Sequence, residues 1–305
     1  MLASGAAFKK NLALFVYILG SSFTIIFQRF LTFHFGTFTQ NFYRCLAGSL
    51  FLLLISLIFF RAEYKKILEK KYLWKYLIGL AVVIALGLVF LVEGLSRTSA
   101  ILGNLFQTLG TFLAIVVTYA VFGDERKVEN RLKFSMGILF SMAGATGLVM
   151  AERNITVEYS FGIVCLILMA LLQPVGGIFT KKISSDIHPV CAGTVVTSFM
   201  TIIFFFLCLI REDIGIITQR SALVNLTLFG SGVLGMFVGI VIVFLAVRLF
   251  GIVVQQTFIL AIPVFTFFLS YLFLKELLNP WQTVMGIILL IGCYLAMKGR
   301  GKAIQ

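Results

Sequence analysis

The chain has 305 residues, of which 60% are hydrophobic and 12% charged, and a mean hydropathy of +1.07. A soluble domain carries about 25% charged residues, so this composition excludes an ordinary soluble enzyme and indicates an all-α polytopic membrane protein. The net charge of +13 lies on Lys and Arg in short loops between apolar runs, not on one groove-like face. It therefore speaks for membrane topology and against nucleic acid as a partner.

Ten apolar runs approach the roughly 20 helical residues that cross a hydrocarbon core. They fall at 11–31, 38–60, 76–95, 99–122, 134–151, 158–180, 189–210, 223–246, 251–274 and 279–297, predicting helices 1 to 10 in that order. The first run is too long for the core of a cleavable signal peptide. The basic and aromatic stretch from Arg61 to Lys75 reads as an anchor on anionic membrane lipid. All five cysteines, Cys45, Cys165, Cys191, Cys208 and Cys293, fall inside apolar runs with no C-x-x-C pair. They read as small core residues, with no metal site and no cofactor expected.

With the N-terminus inside, 18 Lys and Arg fall on inner segments and six on outer ones. That bias supports ten crossings with both termini cytoplasmic, in a bacterial inner membrane. A shift of 151 residues pairs Arg97 with Arg248, Ile101 with Ile252, Leu109 with Leu260, Phe122 with Phe273 and Glu125 with Glu276. Met136-Gly137-Ile138 then meets Met285-Gly286-Ile287 after a slightly longer first loop. The pattern reads as a duplication into residues 1–152 and 153–305. Five crossings per copy is an odd number, so the fold expected is a 5+5 inverted repeat.

The segment Arg97-Thr98-Ser99-Ala100, its apolar run to Glu125 and the Gly-containing helix beyond resemble the half-repeat of the drug/metabolite transporter superfamily, EamA type. The second copy is similar in Gln256 to Phe265 with Pro263, in Tyr271 to Glu276, and in Trp281 with Met285-Gly286-Ile287. Gly20, Arg44 and Pro174-Val175-Gly176-Gly177 fit as well, whereas Phe112 replaces the usual proline of the first copy and Cys45 follows Arg44 in place of an aromatic residue. The resemblance implies a carrier with alternating access, exporting amino acids or other small metabolites through a cavity lined by helices 1, 3, 4, 6, 8 and 9.

Polar groups inside the spans are the candidates for solute recognition, because each is costly in lipid unless paired. Arg44 and Glu93 fall at similar depth in the outer half. Two readings stand: Arg44 snorkels or pairs with Glu93 or a backbone carbonyl, or Glu93 faces the cavity and takes a substrate amine or a coupling proton. Arg97, four residues after Glu93, is placed to neutralise it. Asn104 and Gln107 share one face of helix 4, and Gln255 and Gln256 sit in helix 9, with Asn104 matched to Gln255 by the repeat. These amides suit either a polar solute or contacts between the halves. Gln173 precedes Pro174, which frees the carbonyl near Ala170, and Pro263 is a second expected kink. Tyr17, Ser21, Ser22 and Thr24 are expected at the cavity, Glu125 and Glu276 as caps or pins for the helix that follows each, and His34 and His188 at the interface.

The function read from the sequence is a secondary active transporter, not an enzyme, moving a small-molecule solute and with it, on one reading, a coupling proton. No G-x-x-x-x-G-K-[ST] stretch is present to bind nucleotide. The alternative is a membrane-embedded enzyme acting on lipid-linked substrates, which would want clustered acidic or His residues at the membrane face. Glu212-Asp213 stands alone in that respect.

Overall fold

The computed structural model describes residues 2–121, 130–150, 156–184, 186–244 and 262–300. Among them run ten apolar helices: α1 (Leu2–Leu31), α2 (Thr37–Phe59), α3 (Lys71–Arg97), α4 (Ala100–Val121), α5 (Arg131–Met150), α6 (Val157–Ser184), α7 (Pro189–Arg211), α8 (Ala222–Met236), α9 (Ile262–Leu274) and α10 (Pro280–Arg300). Each falls within or overlaps one of the ten predicted spans, although most of the first half of 251–274 lies outside the described residues. Several are longer than their apolar runs, because a helix satisfies its own backbone and continues into the polar flanks. Arg61 to Lys75 contains a short helix, Glu63–Glu69, beside the start of α3. There Lys66 holds the Glu63 carboxyl below the usual carboxylate range.

The packing repeats itself when each helix is exchanged for the one five places away. α2 packs on α7, α5 on α10 and α4 on α9. The contact of α1 with α9 is matched by α6 with α4, α1 with α8 by α6 with α3, and α2 with α8 by α7 with α3.

Hydrogen bonds between helix ends show that equivalent helices run in opposite senses. At one end of the bundle, Arg29 near the end of α1 meets the Leu95 carbonyl near the end of α3, and the Ala100 N–H at the start of α4 donates to Glu276 beyond α9. The start of α2 lies there too, against Glu212 after α7. At the opposite end, Asp186 after α6 accepts from Lys70 and Tyr72 at the start of α3, and the Asn130 N–H before α5 donates to the Gly299 carbonyl in α10. The chain is a 5+5 inverted repeat.

The outer surface is apolar around the bundle. Leu54, Ile58, Leu139, Met142, Phe206, Ile210, Leu226 and Phe268 are all exposed. A water-soluble monomer does not carry a band of this extent, and α2, α3, α6, α7 and α8 together with its continuation to Ile242 are long and apolar enough to cross a membrane. The protein is an integral membrane protein.

Glu212 supplies a cap that local sequence does not advertise. Its two carboxylate oxygens accept the Phe38 and Thr39 N–H groups at 3.1 and 2.7 Å, at the positive end of the α2 dipole. Gly36 leaves room for it, since a Cβ there would overlap the carboxylate. Glu212→Ala is expected to lower stability by about 2 kcal/mol, the scale of hydrogen bonds to a charged acceptor. Thermal unfolding in detergent measures this, and a melting temperature equal to that of the parent chain would refute the cap.

Candidate functional site

A cavity of about 350 Å³ lies between the two repeats. Its wall comes from α1, α3, α4, α6, α9 and the end of α8 with its continuation, together with Arg44 of α2. The volume is at the small end of the range for ligand pockets, enough for one compact solute.

Of the residues singled out from sequence, Tyr17, Ser21, Thr24, Arg44, Asn104, Gln107 and Gln173 line this cavity together, whereas Ser22 is buried against the Ile18 and Ile262 carbonyls and is not on its wall. Asn104 is buried and its Nδ2 donates to Thr266 Oγ1 of α9 at 2.8 Å. That bond joins the two repeats, so Asn104 makes a contact between halves at the cavity wall. Gln173 donates to the Met169 sulfur at 3.7 Å, not to the Ala170 carbonyl that Pro174 leaves free. That carbonyl lies against Gly110 of α4, where a Cβ would sit 2.9 Å from it. α6 runs on as a helix through Pro174, and the missing hydrogen bond is placed where α4 comes closest.

Glu93 is not among the cavity-lining residues. Its carboxylate accepts from Arg97 and from Thr37 Oγ1, which ties the end of α3 to the start of α2. Arg97 thus has the neighbour its spacing suggested, and Glu93 does not reach Arg44. Pro263 is buried in the first turn described for α9. Gln255 and Gln256 lie outside the described residues, as do Glu125, Arg248 and the stretch in which a bend before Pro263 would fall.

Several cavity-lining positions were not singled out from sequence. Gln28, Thr108, Thr111, Thr180 and Lys181 also line the cavity. Beyond Met236, α8 continues as a π-helical stretch, Phe237–Ile242, and its Val238, Gly239 and Ile240 face the cavity. Wide turns of this kind recur at functional sites. The run Gly230-Ser231-Gly232-Val233-Leu234-Gly235 before it was the available signal.

At one end of the bundle a polar network crosses between repeats. Arg29 donates to Glu276 at 2.7 Å and to the Leu95 carbonyl at 2.7 Å. Glu276 also accepts from the Ala100 N–H at 2.9 Å and from Ser270 at 3.0 Å. Its role differs from the expected pin on the helix that follows: it holds α1 and caps α4, and Asn279 and Gln282 cap the start of α10 instead. Lys275, at φ 56°, takes the left-handed turn that directs Glu276 back across the bundle. Toward the other end, the cavity wall reaches Thr180 and Lys181 near the end of α6.

The sequence model of the EamA-like transporter family matches residues 9–150 and again 160–298. The chain belongs to that family. Within it, this EamA chain is 31% identical over 294 residues to a Haemophilus influenzae protein described as an "Uncharacterized transporter", covering 94% of this chain and 96% of that one. A solved crystal structure sharing 15% identity superimposes with a TM-score of 0.58, over 93% of this chain and 95% of its own, and shows the fold alone. The two family matches correspond to the two five-helix halves. This EamA-family protein is a membrane transporter, and a transporter implies a small-molecule solute.

Proposed function

We propose that the protein is a secondary active carrier of small polar organic solutes, amino acids and related metabolites among them, working by alternating access as an exporter. The observation that carries this reading is the cavity at the repeat interface, and the Arg29–Glu276 network that ties helix ends together on one side of the bundle supports it as the seal. A binding site between inverted repeats, closed on one side, is what rocking of one half against the other requires. The charge bias of the loops supports an orientation with the Arg29–Glu276 end outside and both termini cytoplasmic, and the membrane in this reading is a bacterial inner membrane. Solute would then enter from the side of Thr180 and Lys181. Residues 1–152 and 153–305 are the two moving units, and the driving force is a solute or proton gradient.

Reconstitution of the purified chain in liposomes tests the reading. Saturable flux of a labelled amino acid or metabolite is expected, with its dependence on a pH gradient reporting the coupling. A folded, reconstituted protein that moves no member of a broad panel would overturn it. Tags in the loop at 152–158 and at the C-terminus are expected on opposite sides of the membrane.

Glu93→Gln is expected to leave solute affinity and the pH profile of flux unchanged. The pair with Arg97 is partly exposed, at 27% and 32%, so its loss costs at most about 1 kcal/mol. A several-fold change in the Michaelis constant on this substitution would return Glu93 to the solute site.

A further inference from the structure

Arg44 is a buried cation with no counter-charge among the described residues. It is 1% exposed, deep in the α2–α8 contact, and borders the cavity. Among the described residues its side chain makes one hydrogen bond, from Nε to Ser231 Oγ at 3.1 Å, and Nη1 is buried with no partner. None of the ion pairs among the described residues includes it, since Glu93 is taken by Arg97 and Glu276 by Arg29. The only other charged side chain on the described cavity wall is Lys181, and no Asp or Glu is present there.

The surroundings are shaped to keep this guanidinium in place. Gly232 lets the α8 backbone close on α2, where a Cβ would lie 2.7 Å from the Arg44 Cα. Gly235 leaves the space that Nη2 occupies, since its Cβ would lie 2.9 Å away. A buried arginine in a membrane protein marks a solute or ion path unless it is paired, and here the fold supplies a hydroxyl and no anion.

We propose that Arg44 anchors a carboxylate, so that the solute is an organic acid or a zwitterion bound through its carboxyl group; this rests on the cavity being the transport site. A planar guanidinium presents a fork of donors that matches a carboxylate. A phosphate is less well served, because anions of higher charge collect several cations or helix N-termini. The neutral amides and hydroxyls of Gln107, Gln173 and Ser21 then face the rest of the solute, with no acidic partner on the described wall to demand an amine.

The test compares matched solutes on the intact chain: alanine, leucine and phenylalanine, their 2-hydroxy acid analogues, their amides and the corresponding amines, with chloride and inorganic phosphate as further arms. Thermal stabilisation in detergent and flux in liposomes are the readouts. Amino acids or hydroxy acids are expected to act at concentrations about 10-fold or more below their amides, on the scale of a charge-assisted bidentate contact. Arg44→Gln is expected to weaken the acids about 10- to 100-fold and Arg44→Lys less. Gly235→Ala, which keeps the charge but crowds Nη2, should also weaken them. Amides or amines acting as well as the acids would overturn the assignment while leaving a transporter in place, and no comparison of variants is needed to see it. Action by chloride or phosphate alone would overturn it in favour of an inorganic anion. Stabilisation and flux by no solute at all would remove both this assignment and the transport reading.

Discussion

Gly292→Val is expected to leave almost no monodisperse protein. Gly292 of α10 lies so close to Ser141 and Phe140 of α5 that a Cβ would overlap the backbone of α5. One turn away the relation is reversed: a Cβ on Gly144 of α5 would lie 2.5 Å from the Leu289 nitrogen and 2.7 Å from its Cα. Each helix thus presents a glycine to the other's backbone. Such close approach is how membrane helices gain packing energy when lipid is as apolar as the core. Ordinary overpacking costs about 1–3 kcal/mol. Here the obstacle is backbone rather than a movable side chain, so the two helices must separate and the cost reaches or exceeds the top of that range. Gly230→Ala is the control, because nothing lies within 4 Å of its added Cβ. Size-exclusion profiles and melting temperatures of the two variants decide the matter, and a normal profile for Gly292→Val would contradict the interface.

Arg29→Ala is expected to open the outer end of the cavity, which the proposed mechanism closes with the Arg29–Glu276 network. The Arg29 and Glu276 side chains are 13% and 15% exposed, and truncating one partner of a largely buried pair leaves the other uncompensated, at a cost of about 3 kcal/mol. The closed arrangement already carries a burden on α2, where Gln40 Oε1, both polar atoms of Asn41 and Arg44 Nη1 are buried without protein partners. Each such atom costs about 1–3 kcal/mol. Removing Arg29 therefore tips the balance toward a state in which the outer end is open. A cysteine at Ser21 reads this out, because the described native cysteines are all buried. Its labelling by an impermeant thiol reagent from outside should rise at least about tenfold in Arg29→Ala, a shift of roughly 1.4 kcal/mol. Glu276→Gln should do the same, and unchanged labelling in both would show that the network does not hold the outer end.

The fold was legible because its signals are carried by long segments. Apolar runs gave the ten helices, and loop charge with odd helix number gave the inversion. The cavity was partly legible, since Asn104, Gln107 and Gln173 stand out in apolar surroundings. What stayed hidden depends on contacts between distant helix ends. Nothing near Glu276 announces that its partner is Arg29, 247 positions away, and nothing near Glu212 announces the start of α2. Arg29 itself looked like one more outer-loop cation. The wide turn after Met236 was hidden for another reason: an apolar helix in lipid has no polar face whose periodicity would reveal a change of winding.

That change of winding has a geometric result. In an α-helix, residues four apart drift about 40° around the axis at each step, so a row at that spacing spirals out of a straight groove. A turn closed by i to i+5 hydrogen bonds takes more residues and reverses the drift. Gly235, Gly239 and Val243 are spaced by four across the π-helical stretch and all face the cavity. The combination lays them in a line nearly parallel to the helix axis, two of the three without a side chain, so that this part of the cavity wall is a straight, shallow strip of backbone.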